Sequence, residues 1–238
     1  MIDPLQFLNP ASMFASGERF HALWKRIDCT SGSAGQTYAW LMQQYNAGRA
    51  YHNAQHIGEC LMELQGLRDA KAYAESAVDL DAVEIALWFH DVVYEPRVND
   101  NEERSANAAR FVLQDAGASE DFMSEVHRLI MVTKAHEVSD HADLAAALMV
   151  DIDLSILGKP LERFRQYDDA IRMEYLWVPF PTYAEKRVEV LRGFIAREPL
   201  FKTAWFLDKY EEQAKENLKW AVEKWEKAAK NSLLPEES

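Results

Sequence analysis

The stretch Ala82-Val-Glu-Ile-Ala-Leu-Trp-Phe-His-Asp-Val-Val-Tyr94 decides how this chain is read. It shows no alternation of apolar and polar residues, and the polar face of a surface helix is nearly absent. It therefore predicts a helix that is apolar all round and buried. Two adjacent ionisable groups, His90 and Asp91, stand at its end. A buried carboxylate without a partner is costly, on the order of the several kcal/mol lost when a buried ion pair is broken. A bound divalent cation answers that cost by turning both groups into ligands.

Outward from this helix the pattern stays helical. Few glycines and prolines (9 and 8 in 238 residues) disfavour a turn-rich β architecture. Residues 1–16, with Pro4 and Pro10, read as an irregular lead-in. Helices are expected over Glu18–Ile27 and Gln36–Asn46, with a loop from Thr30 to Gly35. Asn53 is the predicted N-cap of a third helix, which puts His56 in its first turn and His52 just outside it. Asp81 and Glu84 have the spacing of a capping box for the central helix. Further helices are expected over Asn101–Ala116, stopped by Gly117, and from Ser119 through Ile130. A short buried helix over Leu144–Val150 ends in Asp151-Ile-Asp153. Long helices follow over Leu161–Trp177, Tyr183–Arg197 and Thr203–Lys230, with Pro179 and Pro181 closing the first of them. The chain reads as a single all-α domain over 1–238, with its core at about 18–230 and a tail at 231–238.

Composition limits the function. A formal charge of −13 argues against a nucleic-acid polymer or an anionic membrane as partner. The longest apolar run, Leu144–Val150, is too short to span a bilayer. The N-terminus lacks the pattern of a signal peptide, and the two cysteines, Cys29 and Cys60, suggest no disulfide framework, so a cytoplasmic protein is expected. Cys60 reads as a small buried apolar residue. The amphipathic C-terminal helix can cover the chain's own core or a second subunit, which makes a homodimer one of two expected arrangements.

His52, His56, His90, Asp91, His136, Asp151 and Asp153 stand at the ends of helices that read as buried. Imidazole and carboxylate together suit Mn, Fe, Co, Ni, Zn or, less well, Mg. Such an ion with open positions acidifies a water and polarises a phosphoryl oxygen, the two requirements of phosphate-ester hydrolysis. His21 and His127 read as surface or packing residues, and His141 as a loop residue.

The ordered set His56, His90-Asp91, Asp153 resembles the signature of the HD superfamily of metal-dependent phosphohydrolases. Tyr51-His-Asn-Ala-Gln-His56 is similar to the YHNxxH motif of the cyclic nucleotide phosphodiesterases within it. Phe89–Tyr94, Asp100–Ala106, Thr133–His136, Asp153–Gly158 and Ile171–Tyr175 resemble segments of a bacterial group of predicted HD phosphohydrolases. The resemblance spans residues 49 to 218. It implies a single HD-type helical bundle, with His56, His90, Asp91 and Asp153 as metal ligands and His52 as the general acid. Asp91 would bridge the ions if a second one binds. Where the phosphodiesterases carry a further His this chain has Tyr94, which departs from their second metal site. Glu95 falls where stringent-response pyrophosphohydrolases carry an acid. His136 is a candidate for a second metal or the attacked phosphate, and Lys134, Arg172 and Arg187 for phosphate contact.

The leading expectation is a metal-dependent phosphohydrolase acting on a small phosphorylated substrate, with a nucleotide among the candidates. Two alternatives stay open. One is a di-iron oxygenase of HD type, with His136 and His141 as extra ligands. The other is a non-catalytic nucleotide-binding domain.

Overall fold

The computed structural model describes residues 10–29, 34–138, 140 and 142–232. All regular structure among them is helical, as the spacing of apolar residues predicts. The helices gather into two compact units, one ending at Asp153 and the other beginning at Leu154.

The first unit contains α1 (Pro10–Phe14), α2 (Gly17–Arg26), α3 (Ala34–Tyr45), α4 (Ala54–Asp69), α5 (Leu80–Phe89), α6 (Asn101–Asp115), α7 (Glu120–Val132) and α8 (Leu144–Asp153). The central apolar stretch is α5. Helices α2, α4, α6, α7 and α8 all pack on it, which is why it carries no polar face. Every residue from Ala82 to Phe89 is fully buried, Glu84 included.

Glu84 is the one charge within that fully buried stretch. The expected capping box does not form. Asp79 caps α5 instead, its Oδ1 accepting from the backbone N–H groups of Asp81 and Ala82. Asp81 and Glu84 turn to arginines. The Glu84 carboxylate accepts from Arg19 Nε (2.7 Å), Arg26 Nη2 (2.8 Å) and Arg68 Nη2 (3.0 Å), and Asp81 shares Arg26 and Arg68. This network fastens α5 to α2 and α4. Since Arg68 lies in the last turn of α4 and Asp81 in the first turn of α5, those two helices run antiparallel.

The lead-in departs from its expected irregular form at α1. The helix lies close against α4: a Cβ on Gly58 of α4 would stand 1.9 Å from Ala11 O. Only glycine lets the two backbones come this close.

The second unit contains a 3-10 turn (Leu154–Gly158), α9 (Leu161–Glu174), α10 (Phe180–Ile195) and α11 (Ala204–Ser232). Pro179 sits at the N-cap of α10 and Pro181 in its first turn, where the missing N–H costs nothing. The prolines therefore begin α10, three residues before the expected start at Tyr183. A fully buried Asp168 on α9 draws the three helices together. It accepts from Arg187 on α10 and from Lys224 and Trp225 on α11. Asn217 of α11 donates to the carbonyls of Leu157 and Lys159, both at 2.8 Å. No helix among the described residues is long and apolar enough to cross a membrane.

Candidate metal centre

The first unit brings the ends of α4, α5 and α8 together. Asn53 caps α4, its Oδ1 accepting from the N–H of Gln55 (2.9 Å) and of His56 (3.4 Å), and this fixes His56 in the first turn. His90 is the C-cap of α5, with Asp91 directly after it. Asp153 is the last residue of α8. Helix α8 continues three residues beyond the expected Val150, and this carries Asp153 to the cluster.

The ligand atoms lie close to one another. His56 Nε2 is 3.2 Å from His90 Nε2, 3.5 Å from Asp91 Oδ2 and 3.3 Å from Asp153 Oδ1. His90 Nε2 is 3.1 Å from Asp91 Oδ2 and 3.5 Å from Asp153 Oδ1. Donors held about 2.1 Å from one ion are separated by about 3.0 Å at right angles and about 3.4 Å at a tetrahedral angle. These separations match that range; His56, His90 and Asp91 form one group that could hold a cation, and His56, Cys60 and Asp153 form another that shares His56. The ring orientation fits as well. His90 Nδ1 is 3.0 Å from Leu87 O, and a carbonyl only accepts, so Nδ1 carries a proton and Nε2 is the nitrogen turned to the cluster.

The electrostatics point the same way. Burial would raise both carboxyls, but the imidazoles more than reverse it. His90, His52 and His56 hold Asp91 well below the usual carboxylate range, and His90, His136 and His56 do so for Asp153. Burial lowers His90, yet Asp91 and Asp153 raise it well above its ordinary value. For His56 burial is again outweighed, by Cys60, Tyr51 and the two carboxylates. Two anionic carboxylates thus face two imidazoles holding protons that a cation would displace.

The other expected site residues fall into three groups. His136 joins the cluster: its Nε2 is 2.9 Å from Asp153 Oδ2, the oxygen that faces away from His56 and His90. Its backbone is left-handed, φ +49°. For a residue with a Cβ this costs roughly 1–2 kcal/mol, and strain of this kind gathers at functional sites. His52 stands beside the cluster, half-buried, its ring 6.0 Å from that of His56 and stacked on Tyr94 at 3.9 Å. The remaining candidates are engaged elsewhere or face solvent. Lys134 is exposed, and Glu95 is exposed with its backbone tied to Asn101. Arg172 and Arg187 belong to the second unit. Arg172 donates there to the carbonyls of Tyr175 and Val178, and Arg187 to Asp168. Asp151 is fully buried within α8. His141 lies outside the described residues.

Three further residues border the cluster without having been singled out for it. Cys60, one turn after His56, places its Sγ 3.8 Å from His56 Nδ1 and within the same small sphere as Asp153. The i, i+4 spacing was the available signal, but buried cysteine is so often mere packing that the spacing alone decides nothing. Tyr94 supplies the surface on which His52 lies. Arg49 donates to backbone carbonyls in both the His52 and the Asp91 segments. A side chain that recognises carbonyls leaves no mark in the sequence of its partners.

No family model matches the chain, and no curated protein matches it. What the cluster does follows from its own geometry and chemistry.

Proposed function

We propose that the protein is a metal-dependent phosphohydrolase of HD type that cleaves a small phosphate ester, with nucleotides among the candidate substrates. The observation that carries this reading is the convergence of three helix ends: the Nε2 atoms of His56 and His90 stand 3.2 Å apart, and each lies 3.1–3.5 Å from carboxylate oxygens of Asp91 and Asp153. These four residues would hold a divalent ion of the Mn, Fe, Co, Ni or Zn class. Such an ion supplies an acidified water and a polarised phosphoryl oxygen when bound.

The chain's own groups do the rest. Asp91 and Asp153 stay ionised and balance the positive charge. His136, on the outer oxygen of Asp153, orients that carboxylate. His52 would give a proton to the leaving oxygen, and imidazole suits the task because its unperturbed pKa lies near ~6.5. Its stacking on Tyr94 limits the ring to one plane beside the ligands. Tyr94 also takes the place of a histidine that a phosphodiesterase-type second metal site would need, which favours one ion over two. We propose a cytoplasmic setting and a small phosphorylated substrate, in keeping with the charge of −13.

The test begins with elemental analysis of untreated protein. Protein stripped and reloaded with Mn, Co or Ni is then assayed on phosphomonoesters, phosphodiesters and nucleotides. Turnover that depends on the metal supports the proposal, and its absence across the whole panel ends it. Two irons per chain with substrate-dependent oxygen uptake would transfer the site to the oxygenase class.

A further inference from the structure

We infer that Arg49 is a positioning residue of the metal centre: its guanidinium joins the two ligand-bearing segments through their backbone carbonyls and so sets the spacing of His56 against His90 and Asp91. The inference rests on the metal-dependent reading above and adds to it a residue that touches no ligand atom.

Arg49 follows Gly48, whose φ of +80° turns the chain between α3 and α4. From there its Nη1 donates to Asp91 O at 2.6 Å and to His52 O at 3.4 Å, and its Nη2 donates to Val92 O at 2.9 Å. One planar fork thus grips the residue after His90 and the next one, and reaches back to the residue four before His56. The fork is itself fixed on both sides. The guanidinium carbon lies 5.7 Å from the ring centre of Tyr45 and 5.8 Å from that of Tyr94. Tyr45 is anchored by its hydroxyl on Trp88 O at 2.9 Å, within α5. Tyr94 carries His52 on its ring. Asn53, the cap of α4, donates to Ala50 O at 3.0 Å and to Arg49 O at 3.4 Å, so the cap and the fork share one backbone turn.

This arrangement bears on metal binding. The ends of α4 and α5 come from segments 34 residues apart in sequence, measured from His56 to His90. No covalent link holds them, and their donors must stand within coordination range before an ion arrives. Asp91 O belongs to the residue whose carboxylate is a proposed ligand, so any shift of that carbonyl moves the ligand. Outer groups of this kind typically govern affinity by roughly 10- to 100-fold. A lysine cannot replace the fork, because a single ammonium is a point donor and does not span two successive carbonyls in fixed geometry.

The experiment compares wild type, Arg49→Ala, Arg49→Lys and a control, Arg128→Ala, which removes ion pairs to Glu125 and Asp143 on the surface. Each protein is stripped and titrated with Co(II) against a competing chelator, and the unfolding midpoint is recorded with and without metal. We expect cobalt affinity to fall at least about tenfold in both Arg49 variants, more in Ala than in Lys. The rise in midpoint on metal addition should shrink with it. Arg128→Ala should keep wild-type cobalt affinity. If Arg49→Ala does not fold, Arg49→Lys decides. Wild-type affinity in a folded Arg49 variant overturns the inference and leaves the phosphohydrolase reading standing. A wild-type chain that takes up no cobalt overturns both.

Discussion

Replacing Glu84 by Gln tests whether the α5 core is pinned by charge. The two side chains have nearly the same shape, so the change isolates the carboxylate. Glu84 is 0% exposed and meets three guanidinium groups. They are not equally dependent on it. Arg26 and Arg68 are 40% and 25% exposed and retain Asp81, so their share is small. Arg19 is only 15% exposed, and apart from Glu84 its remaining bond is to Gln65 Oε1 at 2.8 Å. Burial lowers the proton affinity of the Arg19 guanidinium even with Glu84 opposing it, which marks the cost already incurred by desolvating that charge. Stranding a largely buried partner costs about 3–5 kcal/mol, and the lower end applies here because Gln65 remains. For a body of this size about 3 kcal/mol lowers the midpoint by roughly 6–12 °C. Thermal and urea unfolding measure it directly. A midpoint within about 2 °C of wild type, less than 1 kcal/mol on the same scale, would show that the network is balanced by its own desolvation and contributes nothing net. Cobalt affinity in the same variant should stay at the wild-type level, because the network engages neither His56 nor His90.

Other outcomes follow from the same geometry. Asp91→Ala should abolish metal uptake and activity together, whereas His52→Ala should leave metal in place and lower the rate; elemental analysis and a rate assay separate the two. Gly58→Ala would drive its Cβ into Ala11 O, so it should cost about 1–3 kcal/mol and speed proteolysis before residue 17. Gly66→Ala, on the same helix with open space around it, should instead gain about 0.5–1 kcal/mol. The Asp81 carboxyl is pushed up by burial but brought below its ordinary value by Arg26 and Arg68. Its contribution is therefore present above the unfolded carboxyl pKa, near ~3.9, and is lost as pH falls through the folded value. Asp81→Asn should lower stability at neutral pH and flatten the acid limb of the unfolding profile.

The parts of this molecule that were legible from sequence are those written in one residue's own chemistry. The run Ala82–Phe89 declares its burial by lacking a polar face, and the structure surrounds it with five helices. Asn53 and Ser119 cap where side chains of their type cap. His56, His90, Asp91 and Asp153 stood out with His52, His136 and Asp151 as ionisable groups at the ends of buried helices, and the resemblance to the HD superfamily separated these four from the rest. What was not legible depends on a partner far away in sequence. Asp81 and Glu84 have the spacing of a capping box, but three arginines from α2 and α4 compete for the same carboxylates, and charge-assisted bonds inside a core outweigh a single N-cap bond. Helix α1 depends on the absence of a side chain at Gly58. Arg172 and Arg187 looked available for phosphate, yet carbonyls and a buried aspartate in the second unit occupy them.

On the antiparallel pair α4 and α5 the arginine network and the proposed metal centre stand at opposite ends. His56 and Arg68 are 12 residues apart on α4, about 18 Å along the axis. On α5, Asp81 and Glu84 lie in the first half and His90 at the C-terminal end. Buried charge therefore occurs at both ends of the pair, but it is resolved differently. At the Arg68 end, the chain itself supplies both signs of charge, Asp81 and Glu84 meeting Arg19, Arg26 and Arg68. At the His56 end, two carboxylates meet imidazoles, whose protons those carboxylates hold but which, unlike guanidinium protons, a metal ion can displace. A cluster that needed only to be stable would have been served by an arginine there too. Imidazole in its place leaves a site whose positive charge is exchangeable, and that exchangeability is the physical ground for expecting an ion at this end of the pair.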